Sequence, residues 1–494
     1  MKRSRRIGTV PVKAKQMKIT WDEIIKGING KLVYGQPEGT FSGVSTDSRS
    51  IKTGEFFIPL TGENFDGHNF VETALQKGAC GAIVGGRQQR LTSHVSRLTG
   101  FIIEVEDTLM ALGDIARLWR ERHPIPVIAI TGSNGKTTTK EMVALIFSQK
   151  FRVLKTEGNL NNLIGLPLTV LKIDDSHEVA VLELGMNSFG EIARLSEICR
   201  PDIALITNVG SGHLEGLGSI EGVAKAKGEI LEGLKADGTF VVNVDDPYIR
   251  EIAKGWDGNL VTFGLNRPDA DVKTLLIDYS CCYGSGVAIS MHLKEKPLSV
   301  KLMGLGLHNV YNATAAAAVG LAVGISPEEI KKGLEGWRPF KGRFELHRLD
   351  CGVNLIDDTY NANPNSVAMA LKTLADVKGA GRGIAVLGDM LELGVYAEEA
   401  HYEIGKKAAA TGVDCLFLMG PLSSIHTSRG ARDGGMDEGQ IVICSDYKDA
   451  SGHVNPILTG GDWVLVKGSR GMAMEKVVER IINPILPGSR SKES

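Results

Sequence analysis

The chain has 494 residues, of which 43 % are hydrophobic and 23 % charged, with a net charge of −2. That length points to about three domains, and the composition is that of an ordinary globular protein. The near-neutral charge gives no footing for a nucleic-acid partner, and no apolar run reaches the roughly 18 residues that would support membrane insertion.

Residues 1–16, MKRSRRIGTVPVKAKQ, are basic and lack the apolar core of a secretory signal. They are expected to form a disordered extension, with Met17 opening the folded part. Residues 17–123 alternate short strands and helices: FFIPL at 56–60, a helical stretch near 69–77, then GAIVGG. The text changes character at His123–Pro124, where a boundary is placed. From 124 to 336 the pattern is βαβ, through PVIAI, AVLELG (180–185), a helix near 189–199, DIALITNV (202–209), a helix near 219–235 and TFVVNV (239–244). Strands punctuated by helices imply a mostly parallel sheet covered on both faces. Residues 272–305 break that rhythm and read as three consecutive antiparallel strands. A helix follows at 309–323, then SPEEIKKGLEGW, with Ser326 as N-cap, Pro327 in the first turn and Glu329 as capping-box partner. Residues 337–345 link to a third α/β unit, 337–494, with strands in VNLID, GIAVLGD, DCLFLMG, IVICS and WVLVKG.

Seven cysteines (Cys80, Cys199, Cys281, Cys282, Cys351, Cys415, Cys444) are odd in number and lack C-x-x-C spacing. That favours reduced thiols of a cytoplasmic protein over disulfides or a zinc site. The adjacent Cys281 and Cys282 read as strand packing.

The chemistry concentrates in PVIAITGSNGKTTTKEM, residues 126–142. A buried strand runs into a glycine turn and then a helix. Gly132 and Gly135 let backbone N–H groups converge on a phosphate at the helix N-terminus. Lys136 supplies a charge for the β and γ phosphates, and Thr137 a hydroxyl for Mg²⁺. The turn departs from the usual phosphate loop, since Ile130 stands where its first glycine should be. Taken alone, it says ATP or GTP.

Glu183 ends a buried strand at the lip where a parallel sheet binds ligands. His213 follows the strand 202–209; a lone histidine is more often structural than a ligand. Two lips of one sheet offering Glu183 and His213 beside Thr137 make a divalent metal site. Lys225 and Lys227 follow on a helix. An ammonium beside Mg²⁺ is repelled, whereas carbamylation by CO₂ reverses its sign and creates an oxygen ligand.

Together TGSNGKTTT, ELGMN, the histidine after TNVGSG, the lysine of AKGEIL and the arginine of GRFE resemble, in content and order, the Mur ligases. These are ATP-dependent amide-forming enzymes of peptidoglycan precursor synthesis, and the likeness covers residues 17–485. It implies a three-domain α/β architecture: a small N-terminal UDP-sugar-binding domain, a central ATPase-like parallel sheet and a C-terminal Rossmann-like domain. By resemblance, Thr137 and Glu183 would hold one Mg²⁺, and His213 with Lys227 as its carbamate (N6-carboxylysine) a second. Lys227 is preferred over Lys225 because AKGEIL fits the family's alanine-lysine spacing. Gly132, Ser133, Asn134, Gly135, Lys136, Thr137 and Thr138 would cradle ATP phosphates. Asn309 and Asn312 would lie near the base, Arg343 at the γ-phosphate and Asp358 at the ribose.

No glycine-rich dinucleotide turn precedes residue 124. The text VSTDSRSIKTGEFFIPL instead resembles the UDP-binding domain of later-acting family members, led by Ser45, Thr46, Asp47, Ser48 and Arg49. IDDTYNANPNS resembles the pattern of members that add D-alanyl-D-alanine, with Thr359 where serine is frequent. TEGNLNNLIGLP offers Thr156, Asn159, Asn161 and Asn162 to a nucleotide-sugar peptide. The implied substrates are UDP-N-acetylmuramoyl-tripeptide and D-alanyl-D-alanine, the latter met by Asp357, Tyr360, Asn361 and Asn363. Catalysis would rest on Lys136, Lys227, His213 and Arg343, in a cytoplasmic monomer. Three rivals remain at this point: another amide ligase of the superfamily, a silent nucleotide-sugar sensor, and a phosphate-loop kinase or phosphatase.

Overall fold

Short apolar runs bounded by glycine and proline become strands buried on both faces. In the computed structural model Val127–Thr131, Val179–Glu183 and Ile203–Ile206 are buried at every position. The structure describes residues 19–86, 100–212, 214–279 and 286–484. The extension expected at 1–16, His213, Cys281 and Cys282 lie outside the described residues.

Those three strands sit side by side and parallel, with Val127–Thr131 between the other two. Alternate side chains point to opposite faces. Ile128 and Ile130 enter one core with the helices Lys136–Phe147 and Leu307–Val323, while Val127 and Ala129 enter the other with Glu191–Cys199. The sheet has nine strands and stays parallel from Val153–Lys155 as far as Val272–Asp278. Val287–Leu293 and Lys296–Leu302 then add antiparallel, as the broken rhythm of 272–305 predicts. Helix Leu307–Val323 buries Ala313 and Ala315 through Ala318. Such small side chains let it approach the phosphate-loop helix closely.

Two further large sheets flank this one, and a small antiparallel pair joins Thr61–Gly62 to Phe65–Asp66. The N-terminal sheet has five strands, Lys31–Tyr34, Phe101–Val105, Gly81–Gly85, Glu55–Phe57 and Gly43–Ser45 in that order, and only its first pair is antiparallel. The C-terminal sheet has six: Glu345–Arg348, Asn354–Asp358, Trp463–Lys467, Gly383–Gly388, Cys415–Met419 and Ile441–Cys444. Again only the first pair is antiparallel. Ser326 and Glu329 form the expected capping box, with proline in the first turn.

Local differences have simple causes. The helix expected over 219–235 is α-helical over Ile220–Gly228 and then tightens into a 3₁₀ turn, Glu229–Leu231. Lys31–Tyr34, Val153–Lys155 and Asn259–Gly264 have no counterpart among the expected strands. The first is mostly exposed, the second spans three residues and the third is half-exposed, so none carries a clear apolar pattern. Among the described residues no helix is long and apolar enough to cross a membrane.

Candidate active site

The strand Val127–Thr131 hands directly into the turn 132–135 and the helix Lys136–Phe147. Gly132 and Gly135 take φ values of +149° and +82°. A Cβ at Gly132 would lie 1.9 Å from Thr207 Oγ1, and one at Gly135 2.2 Å from Asn312 Oδ1. Both positions therefore require glycine for conformation and for space.

The lip after strand Ile203–Ile206 straps the turn in place. Asn208 accepts from the Ser133 and Asn134 N–H groups at 2.9 and 3.0 Å, and Thr207 Oγ1 donates to the Asn134 carbonyl at 2.6 Å. Lys136 Nζ donates back to the Gly132 carbonyl at 2.7 Å. Burial holds the Lys136 ammonium below its usual pKa, against the opposing pull of Glu183.

Glu183 emerges where its strand ends, one strand over from the turn. Its Oε1 accepts from Thr137 Oγ1 at 3.2 Å and from Asn161 Nδ2 at 2.8 Å. Its Oε2 is buried without a hydrogen-bond partner. An orphaned buried carboxylate oxygen is costly unless a cation meets it, so Thr137 and Glu183 fit a divalent ion such as Mg²⁺.

Lys227 is 1 % exposed, and among the described residues no carboxylate offsets its charge. Burial, with the positive Lys136 nearby, drives its pKa well below the ordinary lysine value. Lys225, two positions earlier, is exposed, its ammonium 5.9 Å from the Phe189 ring.

The C-terminal unit closes the site from the other side. Arg343 lies 3.9 Å over the Tyr360 ring and donates to Thr137 Oγ1 at 3.4 Å. Asn363, N-cap of helix Pro364–Val377, donates its amide to Asn134 Oδ1 at 2.8 Å. Asp358 Oδ2 accepts from Lys467 Nζ at 2.5 Å, and the same ammonium holds the Asn361 carbonyl at 2.9 Å. Asn309 and Asn312 are buried on the helix Leu307–Val323, where Asn309 donates to the Leu305 carbonyl at 2.8 Å and Asn312 accepts from Thr139 at 3.2 Å.

The turn, Lys136, Thr137, Glu183, Asn309, Asn312 and the C-terminal groups surround one cavity of about 650 Å³, which Ser133, Thr138 and Asn159 also line, while Gly132, Lys225 and Lys227 are not part of its lining. Several expected contacts lie elsewhere. Ser45 ends the strand Gly43–Ser45 of the N-terminal sheet, and Thr46, Asp47, Ser48 and Arg49 follow in the turn after it, outside this cavity, with the Arg49 guanidinium paired to Asp47 at 2.8 Å. Thr156 is fully buried, and its hydroxyl accepts the Glu183 N–H at 2.9 Å, so it supports the backbone of the carboxylate. Asn162 folds its side chain onto the N–H groups of Ile164 and Gly165, turning into the next helix. Asp357 takes the other face of its strand by alternation. It faces away from Asp358, is 1 % exposed, and accepts the Thr359 hydroxyl at 2.6 Å. That bond uses the hydroxyl which Thr359 shares with serine.

Sequence reasoning missed Lys467, His308, Asp245 and Tyr311, all on the cavity wall. Lys467 could have been found as a cation ending a strand, at the same kind of lip as Glu183. His308 is held near a pKa of about 3 by burial and by Lys467, and is therefore neutral.

Three family models match the chain: the Mur ligase family catalytic domain over residues 40–120, the Mur ligase middle domain over 130–320, and the Mur ligase glutamate ligase domain over 342–470. A UDP-N-acetylmuramoyl-tripeptide–D-alanyl-D-alanine ligase of Bacillus subtilis is 38 % identical, covering 94 % of this chain and 99 % of the relative. The Escherichia coli enzyme of the same name is 36 % identical, over 94 % and 98 %. Among solved structures, MurF from Acinetobacter baumannii superposes with a TM-score of 0.83 at 32 % identity, covering 96 % of this chain and 100 % of that one. MurF ligase from Thermotoga maritima in complex with ADP gives 0.78 at 29 % identity, covering 89 % and 96 %.

Proposed function

The chain belongs to the Mur ligase family, a family of ATP-dependent ligases, and we propose that it joins D-alanyl-D-alanine to UDP-N-acetylmuramoyl-tripeptide. The products are UDP-N-acetylmuramoyl-pentapeptide, ADP and phosphate, in cytoplasmic peptidoglycan precursor synthesis. The observation that carries this reading is the convergence of the phosphate loop, Glu183, Arg343 and Asp358 on one cavity between two sheets. Support for the acceptor comes from the DDTYNANP segment and from relatives of that name at 36–38 % identity.

A carboxylate resists amide formation because oxide is a poor leaving group. Phosphorylation by ATP turns the tripeptide carboxylate into an acyl phosphate, which the dipeptide amine attacks. A tetrahedral intermediate then collapses to amide and phosphate. The protein's part is positioning and charge neutralisation. Lys136 and Arg343 neutralise the γ-phosphate, the turn amides hold its oxygens, and Asp358 with Lys467 orients the ribose side. Thr137 and Glu183 would hold one Mg²⁺, and His213 with carbamylated Lys227 another; bound divalent ions supply further neutralisation of phosphate charge. Neutral Lys227 is the form that reacts with CO₂, so its depressed pKa supports the carbamate.

The same reading divides the chain into a UDP-sugar-binding domain (17–123), an ATP-binding domain (124–336) and an acceptor domain (337–494), acting as a monomer. Ser45 through Arg49 would meet the UDP moiety, far along an extended substrate. Closure of the three units would exclude water from the acyl phosphate.

ATP turnover should be weak with the protein alone and rise steeply only when tripeptide and dipeptide are both present. Coupled measurement of ADP release checks this. Equal turnover without an amine acceptor would contradict a ligase and favour a phosphatase.

A further inference from the structure

Glu345 and His347 stand two residues apart on the strand Glu345–Arg348, so both side chains leave one face of the C-terminal sheet. The antiparallel strand beside it, Asn354–Asp358, sets Asp357 opposite Glu345. One ligand atom from each of the three lies within 4.8 Å of the other two. Donors held about 2.0–2.2 Å from a common ion need only small side-chain rotations from that spacing. Asp357 is 1 % exposed, and Thr359 fixes one of its oxygens through an N–H at 3.1 Å and a hydroxyl at 2.6 Å. None of the three lines the central cavity.

Two of these ligand atoms are left over. Glu345 Oε2 and His347 Nε2 are covered from solvent and make no hydrogen bond among the described residues. They stand 3.7 Å apart, too far for a hydrogen bond between them. A covered polar atom without a partner costs free energy, and two carboxylates this close each disfavour the other's charge. One divalent cation relieves all of this: it takes the lone pairs of Oε2 and Nε2 and neutralises both carboxylates. The His347 and Glu345 side chains as wholes are 28 and 33 % exposed, which gives an ion a path in. The donor set selects the metal. An imidazole with two carboxylates suits a transition ion such as Zn²⁺ or Mn²⁺, whereas Mg²⁺ favours oxygen ligands alone.

The place of the cluster in the chain gives such an ion a task. Phe344, between Arg343 and Glu345, has φ +58° and is 3 % exposed, with its ring centroid 4.4 Å from that of His308. A residue with a side chain stays in this left-handed region only where its surroundings hold it. Arg343 and Asp358 both line the cavity, and each lies one or two residues from the cluster. An ion shared by Glu345 and Asp357 ties the segment presenting Arg343 to the strand presenting Asp358.

We propose that Glu345, His347 and Asp357 bind one divalent transition-metal ion, at a structural site separate from the Mg²⁺ position of Thr137 and Glu183. The ion pins the two strands together just outside the cavity.

The test uses the full chain, stripped with EDTA and exchanged into excess Mg²⁺ so that the phosphate-loop position is taken. Zn²⁺ and Mn²⁺ are then titrated in separate calorimetric runs. The parent should bind one equivalent of at least one of them, and that ion should raise its Tm. His347→Gln and Glu345→Gln should each weaken binding at least about a hundredfold, since losing even a group that only orients a ligand costs about 10–100-fold. Neither variant should gain Tm from the ion, and Glu183→Ala should bind it as the parent does. His347→Gln, whose side chain is partly exposed, should melt with the stripped parent, which separates lost binding from lost folding. A parent that binds no stoichiometric Zn²⁺ or Mn²⁺, or a folded His347→Gln that binds as tightly as the parent, overturns the proposal. So does binding that Glu183→Ala abolishes and His347→Gln keeps, because the ion then belongs to the phosphate loop.

Discussion

Lys136→Ala should lower the ligation rate at least about a hundredfold, the scale for removing one preorganised charge contact from a developing anion. The ammonium sits at the head of the phosphate-loop helix, 2.7 Å from the Gly132 carbonyl, and faces the cavity. Its burial and its neighbour Arg343 both work against its charge, which marks a site awaiting anions. Glu183→Ala and Arg343→Ala should cost as much for complementary reasons. The first removes an acidic group whose second oxygen has no protein partner. The second removes the C-terminal unit's cation nearest Thr137. Initial rates with both substrates saturating check all three. A folded Lys136→Ala protein with nearly parental activity would reduce the turn to a structural element.

Lys227→Ala should be nearly inactive, while Lys225→Ala should be mild. The two residues share a helix and differ by two positions, which turns one inward and the other outward. Lys227 is buried beside another cation, an arrangement that disfavours an ammonium and favours the neutral amine needed for carbamylation. Acetate and other short carboxylates should partly restore the Lys227→Ala variant by filling the vacated oxygen positions. Reversed behaviour of the two variants would put the functional register two residues earlier. Equal, mild losses in both would remove the carbamate from the mechanism.

The sequence carried most of the central sheet, because apolar runs flanked by glycine declare buried parallel strands and because Glu183 ends such a run. The three strands over 272–302 were legible because no helix interrupts them, and the Ser326 cap through local chemistry. Direction was harder. Asp357 and Asp358 are neighbours in IDDTY, and only the pleat decides that Asp358 faces the cavity. Thr156 reads as a ligand contact in TEGNLNN, and only the fold shows that its hydroxyl accepts the Glu183 N–H. Contacts between distant segments were invisible, as with Asn134 and Asn363, which meet across 229 positions.

The most direct test of the central claim is the mass of the product. The full chain is incubated with ATP, Mg²⁺ and D-alanyl-D-alanine, in parallel with the lysine-containing and the diaminopimelate-containing UDP-N-acetylmuramoyl-tripeptide. The account predicts a UDP-N-acetylmuramoyl-pentapeptide, heavier than one of these tripeptides by one dipeptide less one water, formed one for one with ADP. ADP release with both tripeptides left at their starting mass would contradict it.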